Sequence, residues 1–131
     1  MRALFDLGIN RISLGCQTFD DALLKQINRR HNAGQVIDAV KVAQDVGFNN
    51  ISLDFIYGLP NQSCESFLND LKTAVSLGVQ HISLYGLKIE DGCYFFRNSV
   101  AYNVNAQCSF VRILFLKPIV FLSQEKVGFS K

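Results

Sequence analysis

The chain has 131 residues, of which 49% are hydrophobic and 18% charged, and its formal net charge is +2. That length allows one core and at most a short extension, and the apolar fraction combined with so low a charge excludes intrinsic disorder. Thirteen basic against eleven acidic residues leave no electrostatic footprint for nucleic acid, and no window approaches the roughly 18 uncharged apolar residues of a membrane span.

From the N-terminus, Met1 to Gly8 carries no long apolar stretch of the export type, and the expected location is the cytoplasm. The segment Gly8-Ile-Asn-Arg-Ile-Ser-Leu-Gly15 then predicts a first short strand, followed by Cys16 and Gln17 at its carboxyl end. Asn28-Arg29-Arg30-His31 is a basic cluster between two helical stretches. An arginine fork there suits a carboxylate or phosphate, although a solvated surface explains the same charges. Val36, Ala39, Val40, Ala43 and Val46 recur at helical spacing, with Asn32 and Gln35 placed to cap that helix.

Gly47-Phe-Asn-Asn-Ile-Ser-Leu-Asp54 repeats the first strand pattern, and Gly78-Val-Gln-His-Ile-Ser-Leu-Tyr85 repeats it again. Between them, Ser63 is a predicted N-cap, and Leu68, Leu71, Ala74 or Val75, and Leu77 form the stripe of a further helix. Gly47 and Gly78 fall where a helix ends in a left-handed residue. Helix and strand alternating with this period predict βαβ units and a parallel sheet. In such folds ligands bind at the carboxyl ends of the strands, so Gln17, Asp54 and Tyr85 are expected at one rim. Asp54 is the sharpest candidate: a carboxylate closing an apolar strand needs a partner, and it suits a ribose diol or an ammonium group. A cap for the following loop, Tyr57-Gly58-Leu59-Pro60, explains it as well.

Beyond residue 98 the character changes. Only one acidic residue, Glu125, lies there, and the run from Phe110 to Leu122 is apolar but broken by Arg112, Lys117 and Pro118. An amphipathic membrane contact, an element closing the sheet edge and a foreign extension all remain open for residues 98–131. The four cysteines (Cys16, Cys64, Cys93, Cys108) include no close pair of the kind a zinc site or an export disulfide framework shows. Buried or incidental thiols in a reducing compartment are expected.

The ordered set Gly8–Asp20, Asn28-Arg-Arg-His31, Ile51-Ser-Leu-Asp-Phe-Ile-Tyr-Gly-Leu-Pro-Asn-Gln62 and Ile82-Ser-Leu-Tyr-Gly-Leu-Lys-Ile-Glu90 resembles radical SAM proteins related to oxygen-independent coproporphyrinogen III oxidase. The Arg-x-His form and the Ser-Leu-Tyr-x-Leu-x-Ile-Glu ending are closer to the haem-chaperone branch. The resemblance covers residues 1–97 and implies an α/β fold: part of a TIM-type barrel, the second half of a radical SAM (β/α)6 barrel. It implies S-adenosylmethionine and a [4Fe–4S] cluster as cofactors, with a porphyrin or haem as a further partner. By residue-wise transfer, Gln17, Arg29 and Asp54 match family positions that contact S-adenosylmethionine. Reductive cleavage of that cofactor yields a 5′-deoxyadenosyl radical in the family.

The departures are equally specific. No Cys-x-x-x-Cys-x-x-Cys motif is present, and an open-iron cluster needs three thiolates. The expectation is therefore a fragment carrying part of the S-adenosylmethionine pocket without the cluster motif, inactive alone. The alternative is a catalytically inactive stand-alone binding or regulatory remnant.

Overall fold

The computed structural model describes residues 1–86. The predicted tail, 98–131, and residues 87–97 of the predicted core segment lie outside the described residues. In chain order the elements are α1 (Arg2–Asp6), β1 (Ile12–Gln17), α2 (Asp21–Gln26), α3 (Ala33–Val46), β2 (Ile51–Tyr57), α4 (Cys64–Ser76) and β3 (His81–Gly86). The three strands form one parallel sheet in the order β1-β2-β3, as the alternation of helix and strand predicts.

The helix ends explain the glycine repeat. Gly8 (φ 86°) and Gly47 (φ 113°) are left-handed and stand just past a helix. The next residue returns its N–H into the last turn: Ile9 to the Leu4 carbonyl at 3.2 Å and Phe48 to the Ala43 carbonyl at 3.0 Å. This 6→1 closure uses the helix's orphan carbonyls and turns the chain toward the next strand. Gly78 (φ 72°) follows α4 in the same conformation. After Gly47 and Gly78 the next apolar residue enters the core, as Phe48 and Val79, whereas Ile9 after Gly8 stays exposed, so at the second and third repeats "Gly-apolar" is a helix stop joined to a core anchor.

The helix starts follow their predicted caps. The Asn32 side chain accepts from the Gln35 N–H at 2.9 Å, while Gln35 Oε1 accepts from the Asn32 N–H at 3.0 Å. Ser63 Oγ accepts from the Ser66 N–H at 3.0 Å.

Alternation along the strands separates two faces. Cys16, Ile51, Leu53, Phe55, Tyr57 and Leu84 pack against Val36, Val40 and Ala43 of α3 and Phe67, Leu71 and Ala74 of α4. The α4 stripe therefore uses Phe67 where the sequence suggests Leu68, and Val75 stays exposed. The opposite face carries Ser13 and Gly15 of β1, Ser52 and Asp54 of β2, and His81, Ser83 and Tyr85 of β3.

Candidate functional site

The polar face is built by register. Ser13 pairs with Ser52 and Ser52 with His81; one pleat further on, Gly15 pairs with Asp54 and Asp54 with Ser83. Asp54 does not end its strand, as the sequence suggests. It is interior to β2, which continues through Phe55, Ile56 and Tyr57, because those residues supply two more core side chains on the helix face. Asp54 consequently lies within the polar face rather than at its rim. Its carboxylate accepts from Ser13 Oγ at 3.2 and 3.3 Å and remains partly exposed. Gly15 beside it leaves an open space on the pleat.

Gln17 reaches into that space. It is the last residue of β1, and the register with β2 slips at this point, Gly15 facing Asp54 and Gln17 facing Phe55. Gln17 has φ 69°, and the Thr18 N–H donates to the Cys16 carbonyl at 2.9 Å. That i→i+2 bond about a positive-φ residue defines a γ-turn of the strained kind. For a residue with a Cβ the conformation costs on the order of 1–3 kcal/mol. Its effect is directional: the amide folds back over β1, so that a Cβ on Gly15 would stand 3.0 Å from Gln17 Nε2. Gln17 and Asp54 are thus brought to the same strip of the sheet.

Arg29 is fixed by the end of α2. Asn28 is left-handed (φ 59°), a conformation that asparagine tolerates better than other side chains. Its N–H donates to the Lys25 carbonyl at 3.0 Å and the Arg29 N–H to the Leu24 carbonyl at 2.9 Å. Arg29 itself is exposed. Two residues on, His31 Nε2 lies 3.1 Å from the Cys16 carbonyl; a carbonyl only accepts, so Nε2 carries the proton. The loop bearing Arg29 and the turn bearing Gln17 are therefore tied to one carbonyl oxygen.

Sequence reasoning missed two buried polar residues. Thr18 Oγ1 donates to Asp70 Oδ2 at 2.7 Å, and the Phe19 N–H donates to Asp70 Oδ1 at 2.9 Å. Asp70 is 4% exposed and Thr18 0%. Burial pushes the Asp70 carboxyl above the usual carboxylate range, against the two hydrogen bonds that favour its ionised form; the nearby Asp20 charge adds to the rise. A signal existed: Asp70 stands within the stripe Phe67, Leu71 and Ala74, where a polar residue needs a partner. The acidic groove bounded by Asp20, Glu65 and Asn69 lies on this helix side of the sheet, away from Asp54.

The donor set fits S-adenosylmethionine. A partly exposed carboxylate suits its ammonium group or ribose diol, an exposed guanidinium suits its carboxylate, and a primary amide suits either polar end. The described residues do not fit a [4Fe–4S] cluster. Among the described residues no group of three or more His, Cys, Asp or Glu is placed to hold a metal ion. Cys16 is fully buried, with its thiol pushed far up first by burial and then by the Asp70 charge, so it is not a ready thiolate ligand. No helix among the described residues is long and apolar enough to cross a membrane.

Comparison with known proteins agrees with this architecture. The heme chaperone HemW of Lactococcus lactis is 44% identical over 95 residues, which is 72% of this chain and 25% of the relative. The oxygen-independent coproporphyrinogen III oxidase of Helicobacter pylori is 41% identical over 85 residues, 65% of this chain and 19% of that protein. The chain thus spans about a quarter of the length of the HemW relatives it matches. Among solved structures, the Escherichia coli coproporphyrinogen III oxidase HemN, a radical SAM enzyme, superposes with a TM-score of 0.73 at 23% identity. The match covers 86% of this chain and 27% of HemN. The parallel sheet is accordingly part of a TIM-type barrel, as the sequence led us to expect. The family model of the Radical SAM superfamily matches residues 1–86, and the chain belongs to that superfamily.

Proposed function

We propose that residues 1–86 form one side of an S-adenosylmethionine pocket, in a cytoplasmic protein that acts on a porphyrin or handles haem. One observation carries this reading: Asp54 presents a carboxylate from the middle of β2, beside a glycine over which the Gln17 amide is folded. A carboxylate inside a strand serves packing poorly, whereas a carboxylate and an amide on one polar strip recognise a small cationic ligand. Arg29 completes the set by pairing with the methionyl carboxylate. The porphyrin or haem assignment rests on the names of the relatives, HemW and coproporphyrinogen III oxidase.

Bound S-adenosylmethionine supplies a sulfonium whose carbon–sulfur bond is open to reductive cleavage. This chain's residues bind and orient it. Asp54 neutralises ammonium charge or accepts from the ribose hydroxyls, Gln17 fixes the polar end, and Arg29 sets the direction of the carboxylate. Ligand-observed NMR with the purified 131-residue chain tests the reading. S-adenosylmethionine binds the wild type, and Asp54→Ala weakens binding by about tenfold or more, the scale of a lost hydrogen bond to a charged group. A folded wild-type chain that shows no binding refutes the proposal. So does an Asp54→Ala variant of unchanged affinity.

A further inference from the structure

We propose that Asp70 and His31 are positioning residues that clamp the strained turn at Gln17 and thereby set the ligand affinity of the polar face. This inference rests on the S-adenosylmethionine reading for its affinity part alone.

The turn cannot hold itself. A glutamine at φ 69° is disfavoured in any free chain, so its neighbours must over-determine the conformation. They do so from both sides. Upstream, the Cys16 carbonyl receives the Thr18 N–H at 2.9 Å and His31 Nε2 at 3.1 Å. Downstream, Asp70 takes the Thr18 hydroxyl at 2.7 Å and the Phe19 N–H at 2.9 Å, while the Thr18 hydroxyl also accepts the Asp20 N–H at 3.1 Å. Between these two anchored points only Gln17 is left to carry the change of direction.

The placement of Asp70 is hard to explain otherwise. It is interior to α4 on the buried stripe, with Leu71 next to it and Phe67 and Ala74 one turn to either side. An apolar side chain there would pack without desolvating a carboxylate. The two donors from the turn are what the carboxylate is for. His31 has a parallel logic. Because it lies two residues after Arg29, the bond that braces the Gln17 turn also fixes the Arg29 loop, so one carbonyl oxygen coordinates both arms of the pocket. Neither residue belongs to the polar face itself: Asp70 comes from the helix behind the sheet, and His31 bonds to backbone.

The test measures amide exchange of Thr18 and Phe19 and the affinity for S-adenosylmethionine, both by NMR on the full chain. The variants are Asp70→Asn, Thr18→Val, His31→Gln and His31→Phe, each alone and with Gln17→Ala. In the wild type both amides exchange slowly; Thr18→Val and Asp70→Asn speed them about tenfold or more. His31→Phe weakens binding about fivefold or more, and His31→Gln, which keeps an N–H donor, restores it to within about twofold. In the Gln17→Ala background Thr18→Val and Asp70→Asn cause no further loss of affinity, because the group they position is gone, and His31→Phe keeps only the part of its loss that acts through the Arg29 loop. Losses that persist in full in that background overturn the proposal, since they would mark a role in general folding. Exchange at Thr18 and Phe19 that is fast in the wild type, or unchanged in the variants, overturns it as well. Thr18→Val preserves shape, so it carries the same readings if an Asp70 variant fails to fold. A wild type that does not bind S-adenosylmethionine removes the affinity claim with the reading beneath it, and the exchange rates then decide on the clamp by themselves.

Discussion

Gly15→Ala separates stability from binding in a way few substitutions in this chain can. Gly15 lies within β1 and has no positive φ, so alanine fits its backbone and restricts the unfolded chain. That effect stabilises by about 0.4–1 kcal/mol. The added Cβ meets Gln17 Nε2 at 3.0 Å, and no other atom comes within 4 Å. The clash is thus with the far end of a flexible side chain, which moves by a few tenths of an ångström or swings off the strip. Folding loses little. A ligand held by that amide loses a hydrogen bond worth about 1–2 kcal/mol, or roughly 5- to 30-fold in affinity. Thermal unfolding and S-adenosylmethionine titration of the same sample read both quantities. Tm rises by a few degrees or holds while affinity falls, and in the Gln17→Ala background the alanine costs no affinity because the displaced amide is absent. A variant with lowered Tm and unchanged affinity would refute the claim that Gly15 is kept small for the Gln17 amide.

Three further outcomes follow from buried groups and caps. Burial holds the folded Asp70 carboxyl above the usual carboxylate range, so its stabilising contribution is complete below the ordinary carboxylate pKa and is lost as pH rises through the folded one. Urea unfolding across this range should show a decline with pH that Asp70→Asn abolishes; an identical slope in the variant contradicts the burial argument. Asn32→Ala removes the side-chain acceptor of the capping box on α3, leaving the residue-32 N–H on Gln35 Oε1, and costs about 1 kcal/mol by urea unfolding, whereas a loss below about 0.3 kcal/mol would mean that packing alone sets that helix start. Iodoacetamide at pH 8 followed by peptide mapping should label Cys64, which is partly exposed, and spare Cys16, which is fully buried with a raised thiol pKa. Labelling of native Cys16 at the denatured rate would contradict its placement.

The fold was legible where its determinants are local. A left-handed glycine followed by an apolar anchor, an Asn32–Gln35 box and a Ser63 cap each act within about five residues, so the chain displays them directly. Strand length was less legible. Phe55, Ile56 and Tyr57 read equally as the start of a loop, and only the helices packed behind them show that β2 continues, which moves Asp54 inside the sheet. The γ-turn at Gln17 was invisible, because nothing in Cys-Gln-Thr distinguishes a strained turn from an extended strand end. Asp70 was missed because its partners, Thr18 and Phe19, are 52 and 51 residues away. Taking Phe67 as the anchor of the stripe, instead of Leu68, would have exposed it as a polar residue in an apolar row.

Strand alternation isolates the two faces of this sheet so completely that the core can influence the polar face only where β1 stops alternating. That place is the turn after Cys16. There the Phe19 ring packs edge-on against Phe55 at 5.6 Å between centroids, Asp70 grips the backbone from α4, and His31 closes the carbonyl from the other loop. Phe55 and Asp70 are both buried among apolar neighbours of the core, so the turn is held from the packed side of the sheet. A ligand on the polar face then meets an amide already oriented, and the ordering cost that would otherwise weaken binding has been met during folding. Substitutions at Thr18, His31, Phe55 or Asp70 should therefore alter the affinity for S-adenosylmethionine although none of them touches it in the proposed site. Equivalent substitutions at Phe48 or Val79, which anchor the opposite ends of the strands, should alter stability alone.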